Sequence, residues 1–186
     1  MKVQNAIQKR RSFRGLDPIE ITENMIKELA VAASLAPSCY NNQPWKFVFV
    51  KKKDQLDKLK TVMNKGNEWT HDASCIAAVI SKKDLDCVIK AREYYLFDTG
   101  LAIGQMLLKA TEMGLVAHII AGYSPEKTME ILSIPEEWNV IALIIIGKKS
   151  RKRNTIGDET RPERLALKYI YSLDEYSKKL NKKVVH

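Results

Sequence analysis

The order of strand and helix patterns predicts an α+β chain. Two apolar runs of strand length, 74–81 and 139–147, carry the clearest strand signal, the second being the most β-branched run in the chain. Helix-period patterns at 22–36 and 91–113 stand before and between them. No internal repeat or low-complexity tract interrupts the 186 residues, a length that suits one domain with a real core.

Residues 2–9 read as a short helix leading into Arg10-Arg11-Ser12-Phe13-Arg14. Along an extended segment Arg10, Ser12 and Arg14 point one way and Arg11 the other. Two guanidinium forks and a hydroxyl on one side make a phosphate clamp, because each fork can bond two oxygens. The same residues would also suit a solvated basic turn. Thr22 is a good N-cap, Glu23 adds an acid to the first turn, and Met25, Ile26, Leu29, Ala30, Ala33 and Leu35 recur near the helical period. Pro37 stops that helix, since proline offers no N–H and disfavours helical geometry in the residue before it.

The nonapeptide Pro37-Ser38-Cys39-Tyr40-Asn41-Asn42-Gln43-Pro44-Trp45 follows. Ser38, Asn41, Asn42 and Gln43 load one short loop with acceptors and amide donors. Pro44 is tolerable before a strand, and Trp45 can anchor the loop in a core. Such a loop suits a flat ligand with alternating donors and acceptors, such as an isoalloxazine edge. The alternative is a polar turn that bonds its own backbone.

Residues 46–50 read as a strand. Asp54 is expected to cap a helix whose apolar face is Leu56, Leu59, Val62 and Met63, with Gly66 as its left-handed C-terminal cap. The 91–113 helix is apolar nearly all round and should be buried and central. Asp98 on it needs a partner, and a structural hydrogen bond is the expected role. Gly114 ends the helix, 116–121 is the next strand, and His118 on it is expected to be packed. Ser124-Pro125-Glu126 is a strong helix start, and Pro135 closes that helix. Residues 148–160 read as a charged connecting arm, Arg161-Pro162-Glu163-Arg164 as the start of a short helix, and 174–183 as a polar helix or tail.

Composition excludes several classes. The net charge of +9 is concentrated in the tail, where 148–186 hold 12 Lys and Arg against 5 Asp and Glu. No helix-turn-helix, zinc-finger or aromatic RNA-binding motif accompanies it, so no nucleic-acid partner is expected. The longest apolar run, 140–146, is too short to span a bilayer, and the first residues lack a signal-peptide stretch. A cytoplasmic protein is the expectation. Cys39, Cys75 and Cys87 are widely spaced, which suggests neither a metal site nor a disulfide framework. Cys75 is read as packing, and Cys39 as a small buried residue or a reactive thiol. There is no Gly-x-Gly-x-x-Gly, P-loop or Gly-x-Ser-x-Gly.

An Arg-Arg-Ser-x-Arg box, a helix and then Pro-Ser-x-x-Asn-x-Gln-Pro-Trp resemble the nitroreductase family of FMN-dependent oxidoreductases. The resemblance continues through Gly66-Asn67-Glu68-Trp69, Asp98-x-Gly100, Gly114-Leu115 and Ile134-Pro135, and ends near Arg161. It implies one nitroreductase-like FMN-binding domain over 1–186: a mainly antiparallel sheet flanked by helices, with 148–186 as a domain-swapped basic arm and helix. It implies a homodimer with shared flavin sites, packed through the Asp98 helix, where Gly100 and Gly104 permit close approach. It assigns Arg10, Arg11, Ser12, Arg14 and Arg161 to the phosphate and ribityl chain. Pro37, Ser38, Asn41, Gln43, Asn67, Ile120, Ala121 and Gly122 fall to the ring.

The implied reaction is ping-pong. NADH or NADPH delivers hydride to FMN N5, and an electron-poor acceptor such as a nitroaromatic or quinone collects it. No side chain is required as catalytic acid or base, and none is named. Two departures stand out: many relatives carry a glutamate at the position of Ala121, and some a lysine at that of Glu159. The scaffold also leaves open dehalogenation, dehydrogenation, enone or azo reduction, flavin cleavage, or a non-enzymatic flavin-binding redox protein.

Overall fold

The computed structural model describes residues 1–152 and 161–184. Five α-helices and seven strands lie among them: α1 (Val3–Lys9), β1 (Leu16–Asp17), α2 (Glu23–Ser34), β2 (Lys46–Val50), α3 (Lys53–Lys60), β3 (Cys75–Ser81), β4 (Val88–Ile89), β5 (Arg92–Glu93), α4 (Tyr94–Glu112), β6 (Val116–Ile120), α5 (Pro125–Leu132) and β7 (Asn139–Lys149). The expected α+β architecture is present, and every strand pair described is antiparallel.

The β-branched run forms the middle of the sheet. Along one edge β7 pairs with β3, from Cys75↔Ile146 to Ser81↔Asn139. Its other edge is shared end to end by β6, opposite 143–147, and β1, opposite Lys148 and Lys149. β2 pairs with the far side of β3. Side-chain alternation splits the core into two layers. Cys75, Ala77, Val79, Ile144 and Ile146 pack with α2 and α4 through Leu29, Ala33, Ala102, Ile103 and Met106. Ile76, Ala78, Ile80, Leu143 and Ile145 pack on the other face with Leu56 and Leu59 of α3. All seven residues of β3 are buried, so its apolar run has no polar alternation.

The expected caps of two helices are present: Thr22 accepts from the Met25 N–H at 3.2 Å, and Ser124 accepts from the Lys127 N–H at 3.3 Å. α3 differs from expectation. It starts without a side-chain cap and ends at Lys60, so Gly66, at φ +93°, serves a later turn. Residues 91–93 do not begin the long helix; Arg92 and Glu93 close a short hairpin with Val88 and Ile89. α4 buries Tyr95, Asp98, Thr99, Ala102, Ile103, Met106 and Ala110 and leaves Leu96 and Phe97 exposed, so it is one-sided rather than enclosed.

The C-terminal helix is also corrected. Residues 161–166 are irregular, and among the described residues only 3₁₀ turns follow, at Leu167–Tyr169 and Lys178–Asn181. Pro162 and a run of exposed side chains leave this segment no apolar face against its own chain to stabilise a helix. No described helix is long and apolar enough to cross a membrane.

Candidate flavin site

Two groups of residues form. The first gathers around the arginine box. Arg10 donates to Ser12 Oγ at 3.3 Å, while the Arg11 guanidinium lies 5.2 Å from the centre of the Phe13 ring. The pentapeptide therefore alternates as an extended segment should, with Arg10 and Ser12 on one side and Arg11 on the other. Arg14 is exposed. Arg161 arrives from the far end of the chain and donates to the carbonyls of Gln8 and Arg10, the latter at 3.0 Å. Partial burial, then Arg161, Arg164 and Arg11, lower the Arg10 pKa from its ordinary value. Among the described residues no carboxylate pairs with Arg10, Arg161 or Arg164. Like charges gathered this closely are what an anion would stabilise.

His118 ties this box to the β6 end. Its Nδ1 lies 3.1 Å from the Phe13 carbonyl, and its ring stacks on Trp69 at 4.6 Å. It is the packed histidine expected. Two residues before Trp69, the Asn67 side-chain amide donates to the Gly122 carbonyl at 2.8 Å, and its Oδ1 accepts from Trp69 Nε1 at 3.3 Å. Asn67 and Gly122 are thus brought together with the arginine box through His118. A Cβ at position 122 would lie 2.5 Å from Asn67 Nδ2. The amide would have to shift to admit a side chain at position 122. Ile120 is buried; Ala121 is exposed. Glu159, the other departure, lies outside the described residues.

The second group is the amide loop. Trp45 is buried in the α2/α4 layer, and the buried Ser81 hydroxyl donates to the Pro44 carbonyl at 2.9 Å, so the loop is anchored at its end. Within it, Ser38 Oγ accepts from the Gln43 N–H at 3.0 Å, and Gln43 Nε2 donates to the Asn41 carbonyl at 3.1 Å. Those are the bonds of a self-satisfied polar turn. Pro37, Asn41 and Gln43 are nevertheless exposed, and no hydrogen bond to the Asn41 side chain occurs among the described residues. Asp98, 2% exposed, accepts from the Cys39 N–H at 2.6 Å, the structural bond expected of it. Burial first, and the neighbouring Asp86 carboxylate second, push its pKa up, against the lowering effect of that N–H.

The cysteines overturn the expectation. Cys39 and Cys87 form a disulfide with Cα atoms 6.2 Å apart, so Cys39 is neither a buried small residue nor a free thiol. Cys75 is buried, and burial pushes its thiol up to about 12. A 48-residue separation gives no local spacing signal, so nothing in the residue order marks the pair. Asp86, whose side chain accepts from Asn42 at 3.2 Å, and Arg164 were also missed as members of these groups.

Arg10, Ser12 and Arg161 make no hydrogen bond to the loop among the described residues. The cavity of about 390 Å³ beside the loop is lined by Pro37, Ser38, Cys39, Ile89, Tyr94, Phe97, Asp98 and Leu101, with no arginine of the box. Within one chain the two groups are separate: the loop leads into Lys46, paired with Ile80 toward the Asn139 end of β7, and the box into Leu16, paired with Lys149 at the other end.

Comparison with known proteins identifies the family and the fold. The sequence model described as the nitroreductase family matches residues 7–68 and 60–148. A candidate NADH dehydrogenase/NAD(P)H nitroreductase of Methanothermobacter thermautotrophicus is 29% identical over 171 residues, covering 90% of this chain and 87% of that one. An oxygen-insensitive NADPH nitroreductase of Helicobacter pylori is 27% identical over 186 aligned residues, covering 80% and 88%. Among solved structures, a nitroreductase family protein of Clostridium difficile superposes with a TM-score of 0.79 at 22% identity, covering 95% of this chain and all of that one.

Proposed function

Since the chain belongs to the nitroreductase family and is an oxidoreductase of that family, we propose that it binds FMN and uses NADH or NADPH to reduce an electron-poor organic acceptor such as a nitroaromatic or quinone. The observation that carries this reading is the guanidinium cluster, in which Arg161 is bonded to the backbone of the Arg10 box although 151 residues separate them. FMN, when bound, supplies two-electron transfer between nicotinamide and acceptor in two half-reactions. Arg10, Arg11, Ser12, Arg14 and Arg161 would hold its phosphate and ribityl chain. Pro37, Ser38, Asn41 and Gln43, with Asn67 and Ile120–Gly122, would hold the ring. The donor set fits the anionic end: forks for the phosphate oxygens and a hydroxyl beside them. The exposed amides of Asn41 and Gln43 suit the ring edge. The chain's own work is to orient the ligand and exclude water, and no side chain is assigned a proton.

The separation of the two groups supports a homodimer in which one protomer's arginine box faces the partner's amide loop. Leu35 just after α2 and Phe97 on α4 are exposed, as are Leu167, Leu173 and Tyr176 on the C-terminal segment. A Cβ at Gly100 or Gly104 would meet nothing within 4 Å, leaving that side of α4 open to another helix. That apolar surface is suited to an exchanged arm and a helical interface. The test is the visible spectrum of purified protein and its bleaching by anaerobic NADH or NADPH. A colourless protein that neither binds nor reduces added FMN refutes the proposal. Steady turnover with a nitroaromatic separates an enzyme from a flavin carrier. A tightly FMN-bound monomer in sedimentation refutes the shared site.

A further inference from the structure

We infer that Cys39 and Cys87 are a thiol-exchange site whose disulfide clamps the amide loop, and that a dithiol reductant releases it. The loop is held in a costly backbone shape. Tyr40, Asn41 and Gln43 have φ of +48°, +59° and +50°, and none is glycine. Backbone of this kind persists only where surrounding contacts over-determine it. Here the contacts from outside the loop come from Asp86 and Cys87 and from Asp98 on α4. The Cys39 sulfur is bonded to Cys87, its N–H to Asp98, and the Asn42 amide donates to Asp86 at 3.2 Å and to Cys87 Sγ at 3.4 Å. Apolar packing does not hold the tip, because Tyr40 is 88% exposed.

The anchoring segment is equally unusual. Residues 88–93 form a two-residue-turn hairpin in which Lys90 and Ala91 have φ of +48° and +64°, a shape normally given to Asn-Gly. The disulfide is thus a covalent tie between two strained surface segments. Cys39 and Cys87 are partly buried residues next to exposed ones, whereas the third cysteine is buried in β3. Exchange chemistry is therefore directed to the pair. A thiolate of the dithiol attacks one sulfur, and the other leaves as a thiolate and takes a proton. The second thiol of the reductant then resolves the mixed disulfide. The chain gains two thiols, and the dithiol is oxidised to its disulfide.

The structural half of this inference stands without FMN; its consequence for cofactor affinity rests on the function proposed above. The experiment uses the full chain, folded, with and without dithiothreitol, and Cys87→Ser beside it. Alkylation followed by peptide mass mapping is expected to find residues 39 and 87 blocked until reduction. Amide hydrogen exchange at 38–43 is expected to rise about tenfold on reduction, while 118–122 is unchanged. FMN fluorescence titration is expected to show affinity about tenfold weaker in the reduced protein. Loop exchange that is the same in both states overturns the clamp, as does failure of the pair to form after mild oxidation. One zinc ion per chain held by the two thiols overturns it in favour of a metal site, since both sulfurs and an Asp86 oxygen lie within 4.8 Å of one another. A loop that responds in a protein that binds no FMN in either state supports the clamp and removes the flavin reading.

Discussion

The Asn67 side chain and Gly122 are fitted to each other: the amide donates to the glycine carbonyl at 2.8 Å, and the space a Cβ would need is already occupied by that amide nitrogen. The same carbonyl accepts the Asn64 N–H at 3.0 Å. This contact joins the turn after α3 to the end of β6, which the proposed function places against the flavin.

Gly122→Ala is expected to destabilise the fold by about 1–3 kcal/mol, the usual cost of overpacking. Asn67→Ala in the same chain should recover part of that loss, because it removes the clashing atom. Urea unfolding of the two single variants and the double variant checks this, and additive losses would show that the contact is not the cause.

Arg10→Ala and Arg161→Ala are each expected to weaken FMN binding by about 10- to 100-fold, from the loss of charged hydrogen bonds worth about 1.5–3 kcal/mol. Riboflavin, which lacks the phosphate, should bind the parent protein and both variants alike. Equal parent affinity for FMN and riboflavin in fluorescence titration would remove the phosphate role from this cluster.

Cys39→Ser and Cys87→Ser are each expected to cost about 2–4 kcal/mol, the range for a tie that closes a long loop. The parent protein should lose a similar amount when reduced, with no further loss on reducing the variants. Denaturant midpoints with and without dithiothreitol measure both.

Asp98 sets a pH dependence. Its folded-state pKa is raised, by burial and then by Asp86, so the folded chain binds its proton more tightly than the unfolded chain does. Its contribution to stability is fullest below the ordinary aspartate value and is lost as pH rises through the raised one. Asp98→Asn keeps an acceptor for the Cys39 N–H and cannot ionise. Its unfolding midpoint is expected to fall less than the parent's between pH 4 and 7, and parallel curves would exclude Asp98 as the source.

The order of elements and the core were legible from the chain alone because they rest on local physics. Hydrophobic periodicity marks β3 and β7, side-chain oxygens and N1 proline mark the starts of α2 and α5, and alternation of side chains sorts Arg10 and Ser12 from Arg11. The loop that ends in Trp45 declared its polar chemistry the same way. Where a contact joined distant positions, residue order carried no such signal. Nothing local couples Cys39 to Cys87 or brings Arg161 to the carbonyl of Arg10, because loop closure over such separations is settled by the packing of everything between them. Tertiary packing alone also decided that Gly122 answers to the Asn67 amide, that the last residues lack an α-helix, and that the amide loop and the arginine box stand apart in one chain. A helix needs a face to bury, and most side chains of residues 161–184 are exposed.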